Sequence, residues 1–124
     1  MFETLISKLQ EDKYLTLETT PQHEPSMHNI VEKIKKFKID SKVDGFTCTD
    51  NPLAKLKYNS LFAALKLQQE FKKPVIATMT MRDRNKIALQ SDLLGANDFD
   101  IRAILALTGD PANMSDQPNS KGVF

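Results

Sequence analysis

Four acidic residues stand where apolar runs stop: Glu18 after LTL, Asp50 after FTCT, Asp83 after VIATMTMR and Asp110 after ILALTG. They recur about every thirty residues, the length of one strand with its returning helix in a parallel sheet. Chemistry in such sheets gathers at the strand ends, so these acids and their neighbours are the first candidates for a site. Glu18 is flanked by Leu15, Leu17 and Thr19. A carboxylate partly withdrawn from water has its charged form disfavoured, which suits a proton donor near neutral pH; a solvated or lysine-paired glutamate fits the same spacing. Asp110 lies in Thr108-Gly109-Asp110-Pro111, where the glycine lets the backbone approach a bound ring and the proline restricts the aspartate before it. Thr47, Thr49, Thr78, Thr80 and Thr108 fall at or near the same ends. Strand alternation aims part of this set into the mouth of the sheet, although threonine is also a common strand residue.

The remaining chemistry-bearing groups read more plainly. Arg82, Asp83 and Arg84 form a dense charged group, first as ion pairs within a loop and second as a phosphate contact. His23 and His28 have no companion pair at ligand spacing, so no metal site is expected. Cys48 is the only cysteine, which rules out an intrachain disulfide. No glycine-rich phosphate loop and no nucleophile elbow is present.

The elements that must position these residues follow from periodicity. Phe2, Leu5, Ile6 and Leu9 mark an opening amphipathic helix that covers apolar surface. Strands are expected at 14–19, 43–48, 75–80 and 103–108. A helix begins near Ser26 with Met27, Ile30, Val31, Ile34 and Phe37 on one face, and Asp50-Asn51-Pro52 is set to begin the next, which runs through Leu61, Ala64, Leu65 and Phe71. The last helix is expected over 86–94, closed by Gly95 in a left-handed conformation. Residues 111–122 have no periodicity and read as loop. Four such units fit either a free-standing doubly wound sheet or the first half of a barrel. Eight units of about thirty residues make about 250, the usual barrel size, and favour the latter. The expected architecture is therefore α/β, a partial (βα)8 TIM barrel of four βα units with an N-terminal helix, and residues 1–124 read as a truncated half of one domain.

Composition narrows the class. With 40% hydrophobic residues in 124, the chain can bury one core. Seventeen basic against sixteen acidic side chains leave a net charge of +1, too balanced for capture of nucleic acid or an anionic membrane. The lysines at 33, 35, 36, 38 and 42 read as the wet side of a helix. Without a signal peptide pattern or a long apolar run, cytoplasm is the expected compartment.

LETTP at 17–21, TDNP at 49–52, TMRDRN at 80–85, ALQSDLLGA at 88–96 and ILALTGDP at 104–111 together resemble the N-terminal half of the methylenetetrahydrofolate reductase family. The resemblance implies a flavin-dependent barrel enzyme of one-carbon metabolism. It would pass hydride from NAD(P)H to FAD and then to 5,10-methylenetetrahydrofolate, giving 5-methyltetrahydrofolate. By resemblance Glu18 is the general acid toward the folate, and Asp110 sits by the flavin ring and contacts the pterin. Thr47, or Thr49 in a competing register, matches a threonine at the flavin. Thr78 stands where the family typically carries histidine, and Thr108 where many members carry arginine. With Thr80 and Gly109 they complete the implied flavin contacts, and Val123 and Phe124 fall where the chain meets the flavin again. A half barrel also implies an oligomer, or dependence on the other half; a non-catalytic half barrel that pairs with itself or a complementary chain is the alternative.

Overall fold

The computed structural model describes residues 1–11 and 13–111. The loop expected over 111–122 lies almost wholly outside them, as do Val123 and Phe124. Four strands, β1 (Thr16–Thr19), β2 (Gly45–Cys48), β3 (Val75–Thr80) and β4 (Ala103–Leu107), form one parallel sheet in the order β1-β2-β3-β4. Helices α1 (Phe2–Glu11), α2 (His28–Lys36), α3 (Ser60–Phe71) and α4 (Lys86–Asp98) alternate with them.

The winding runs one way. Val31 and Ile34 of α2, Ala63, Ala64 and Leu67 of α3 and Ala96 of α4 share one core with Phe46, Cys48, Val75 and Ala77 of the sheet. Alternate strand residues point to opposite faces, so Glu18, Thr47, Ile76, Thr78, Leu105 and Leu107 belong to the other face, where Leu105 and Leu107 remain 51% and 43% exposed. Sequential strand order with the core helices on a single face, among the described residues, agrees with a partial TIM-barrel-like fold.

Caps explain most helix ends. The Ser26 hydroxyl accepts from the His28 amide, Asn59 accepts from Leu61 and Phe62, and Asn85 accepts from Ala88. Asn51-Pro52 opens only the short turn Pro52–Ala54; α3 starts later, at the better-capped Asn59. Gly95 does not close α4, contrary to the sequence reading. The helix continues to Asp98, and the left-handed residue is Asp100, at φ 61°. A glycine inside a helix costs about 1 kcal/mol relative to alanine; continuing the helix places Ala96 in the core and lets Ile101 close the turn onto the Ala96 carbonyl at 2.9 Å. The opening helix forms where expected but buries less of its apolar face. Only Leu5 of α1 is buried, and its polar groups tie it to residues just before β2 and β4: Lys8 to Asp44 at 3.7 Å, and the Met1 amino group to Asp100 at 3.1 Å. It therefore lies at the N-terminal end of the sheet. At Gly45 a side chain would collide with the Tyr14 hydroxyl and the Pro74 carbonyl, so β2 can enter the sheet only as glycine.

Cys48 sits fully buried on the helix side, where burial pushes its thiol up to about 11, against a partly offsetting contact with the Thr19 hydroxyl at 3.4 Å. A group whose folded pKa is raised above the ordinary 9 stabilises the fold below that pH, and the contribution is lost as pH climbs toward about 11. Alkylation of Cys48 at pH 8 is expected only at the rate of global unfolding, and the melting temperature is expected to fall between pH 9 and 11. Rapid labelling of the native protein would show the thiol to be accessible.

Candidate active site

The strand ends converge through three loops rather than through the strands themselves. After β2, Asp50 is 4% exposed and its carboxylate accepts from the Thr80 amide at 2.8 Å and from Arg84 at 2.5 Å. Arg84 also donates to Asp92 of α4 at 3.0 Å and to the Thr80 carbonyl at 3.0 Å. Burial works against the Arg84 charge, but the bonds and charges of Asp50 and then Asp92 outweigh it and hold the guanidinium above its ordinary range. The pair locks the end of β3 to the end of β2. Removing one partner of a buried ion pair typically costs about 3–5 kcal/mol, because the other charge is stranded.

A second arginine joins the third loop. Arg82, also 4% exposed, donates to both Asp83 carboxylate oxygens, to the Asn51 carbonyl at 3.2 Å and to the Asp110 carbonyl at 3.1 Å. The Asp110 carboxylate accepts from the Leu53 amide at 2.6 Å. Gly109, at φ 90°, runs directly over this cluster: a Cβ there would lie 3.0 Å from the Thr80 Cβ and 3.3 Å from the Arg82 Cβ.

The sequence-derived candidates divide accordingly. Glu18 is exposed on the open face and pairs in register with the half-buried Thr47, so the desolvated setting considered for it is absent among the described residues. Thr78 and Thr80 follow on β3 opposite Leu105 and Leu107, at 8% and 3% exposure. Two residues apart, they share one face, which alternation requires. Thr49 lies just past β2, and its hydroxyl, like that of Thr80, is buried with no hydrogen-bond partner among the described residues. Thr108 is exposed beyond β4, while Gly109 and Asp110 are half-buried under the Arg82 fork. Within the charged group 82–84, Arg82 pairs with Asp83 inside the loop, as expected, whereas Arg84 pairs outside it, with Asp50 after β2 and Asp92 of α4. Asp50 stands in the sequence as one of four strand-end acids and Arg84 as part of the charged group, but their pairing with each other carries no local signal.

The model of the family described as methylenetetrahydrofolate reductase matches residues 3–123. The chain belongs to the methylenetetrahydrofolate reductase family. Comparison with individual curated proteins gives no match. Membership makes this a folate-related reductase, in a family whose enzymes are flavoproteins in general. The four-stranded parallel sheet with its helices agrees with a partial TIM-barrel-like fold. No helix among the described residues is long and apolar enough to cross a membrane.

Gly109→Ala is expected to lower stability by about 1–3 kcal/mol, because alanine disfavours the positive φ and its methyl group meets Thr80 and Arg82. Urea unfolding checks it; a neutral result would show that the loop can lift away from β3 without loss.

Proposed function

We propose that this chain carries the acid-bearing part of a reductase that converts 5,10-methylenetetrahydrofolate to 5-methyltetrahydrofolate with FAD and NAD(P)H. The observation that supports this reading most is the helix-free face of the sheet, which presents exposed Glu18 beside Thr47 at one side and Leu105 and Leu107 at the other. A flat flavin ring needs an apolar bed with hydrogen-bonding groups at its edge. The exposed leucines fit the first need, and the hydroxyls of Thr47, Thr49, Thr78, Thr80 and Thr108, with the Gly109 backbone, fit the second. Three buried hydroxyls lack a hydrogen-bond partner among the described residues; that of Tyr14 lies at the start of β2, while those of Thr49 and Thr80 lie at the other end of the sheet and favour a polar ligand group there.

When bound, the flavin would supply hydride acceptance from the pyridine nucleotide and hydride donation to the folate. The protein's part is proton management and placement. The one-carbon bridge of the substrate spans two nitrogens and accepts hydride only after one carbon–nitrogen bond opens, which a proton on the departing nitrogen promotes. Glu18, solvent-accessible and unobstructed, is assigned that proton. Asp110 is assigned to the pterin and the ring, so that ligand binding competes with the Leu53 amide for its carboxylate.

In the flavin-loaded enzyme Glu18→Gln should slow folate reduction by about 10² to 10⁴ while flavin reduction by NAD(P)H stays near wild type, since only the folate step needs the acid. Asp110→Asn keeps an oxygen for Leu53 but removes a negative charge from the ring, so it should weaken the folate half-reaction and raise the flavin potential. Stopped-flow measurement of each half-reaction decides; equal slowing of both by Glu18→Gln makes the glutamate structural.

The architecture proposed with this function is the first half of a (βα)8 barrel, with further strands closing on β1 and β4. Those two edges, and the exposed Leu105 and Leu107, support a second reading in which a non-catalytic half barrel pairs with itself or a complementary chain. Residues 1–124 alone should bind FAD weakly and associate at micromolar concentration. Sedimentation showing a compact monomer that melts cooperatively would count against both forms of the half barrel.

A further inference from the structure

We infer that Arg82 is a positioning residue for Asp110, acting by clamping the loops after β2 and β4 into one rigid unit. The loop after β2 is under strain: Asn51, Leu53 and Ala54 adopt φ of 42°, 59° and 57°, and none is glycine. Left-handed backbone costs about 1–2 kcal/mol for each such residue, so three within four residues persist only if their surroundings hold them. Two of the holding bonds come from the other strand ends. Arg82 takes the Asn51 carbonyl, and the Asp110 carboxylate takes the Leu53 amide at 2.6 Å. Others are internal: the Lys57 amide donates to the Asn51 side chain at 2.7 Å, the Asn51 side-chain amide to Asp50 at 3.2 Å and the Lys55 amide to the Pro52 carbonyl at 3.3 Å.

Arg82 also holds the Asp110 carbonyl at 3.1 Å. One guanidinium therefore fixes the backbone at both ends of the Asp110–Leu53 bond, and Asp83 fixes the guanidinium, with its nearest oxygen at 2.6 Å. The planar fork is what makes this possible: it directs Nη1 to one loop, Nη2 to the other and Nε with Nη2 to the carboxylate. A lysine ammonium at the end of its stem cannot reach both carbonyls and the carboxylate in these directions. With Arg82 buried and its charge paired, its contribution to the reaction is the direction in which Asp110 presents its carboxylate to a ligand.

The inference rests on the proposed role of Asp110 toward the folate, and its test separates the two. Arg82→Lys in the flavin-loaded enzyme should speed hydrogen exchange at the Leu53 amide about tenfold, or about 1.4 kcal/mol, while the β2 amide of Phe46 is unchanged. The KM for the folate should rise about tenfold at nearly constant rate of flavin reduction by NAD(P)H. The double variant with Asp110→Asn should be no worse toward the folate than the worse single variant, because Arg82 acts through Asp110. Unchanged exchange at Leu53, or additive effects in the double variant, overturns the inference. If Asp110→Asn alone leaves the folate step untouched, the assigned role of Asp110 fails, and the inference that Arg82 directs it toward a ligand fails with it; Leu53 exchange then reports the clamp alone. Should the lysine variant not fold, Asp83→Asn keeps an oxygen for the fork without its charge, and an unchanged Leu53 amide there overturns the clamp equally.

Discussion

Every helix of the shared core lies against one face of the sheet, and from that asymmetry the rest of the molecule follows. A parallel sheet normally buries both faces, and its strands then read as unbroken apolar runs. Here β1 is TLET and β2 is GFTC, with polar residues alternating toward the uncovered side. The helix side takes Phe46, Cys48, Val75 and Ala77. The open side keeps Glu18, Thr47, Thr78 and the exposed leucines of β4, which is why the chemistry and the unpaired apolar surface occupy the same face.

An open face can hold a ligand only if its rim is stiff, and the rim is made by two arginines. Arg84 is sandwiched between Asp50 and Asp92, and Arg82 between Asp83 and two carbonyls from different loops. Both are nearly dry, so each would be costly if left unpaired. The geometry offsets that cost by giving each guanidinium three partners, Asp50, Asp92 and the Thr80 carbonyl for Arg84, and Asp83 with the Asn51 and Asp110 carbonyls for Arg82. The stiffness so gained sustains three left-handed residues in the loop after β2, which no local sequence preference would sustain alone.

Family membership and architecture bear on each other through these residues. The segments that carry the resemblance to the methylenetetrahydrofolate reductase family, all within the matched residues 3–123, fall at or after the strand ends: LETTP at the end of β1, TDNP at the buried Asp50, TMRDRN at the two arginines and LTGDP at Gly109 and Asp110. The two arginines tie TDNP, TMRDRN and LTGDP together, while LETTP stands outside their network. TMRDRN has a structural task whether or not a ligand is bound, since Arg84 already joins three elements.

The four strands, the four helices that alternate with them and the strand-end acids were legible in the sequence, because apolar period and turn residues are local signals that neighbours within a few positions decide; Phe37, expected on the α2 face, is exposed. Glu18, Thr47, Thr78 and Asp110 could be placed on or just past their strands for the same reason. Local signals failed where two choices were close. Gly95 is a good helix terminator, yet burial of Ala96 in the core carried α4 three residues further. Asn51-Pro52 looks like a helix start, yet the Asn59 cap took that role. What the sequence alone could not determine is which strand end meets which. Arg82 reaches carbonyls at Asn51 and Asp110, 31 and 28 residues away, and a carbonyl looks the same behind every side chain. Only the parallel register of β2, β3 and β4 brings those backbones within reach of one guanidinium, and so only the tertiary structure decides where the Asp110 carboxylate points.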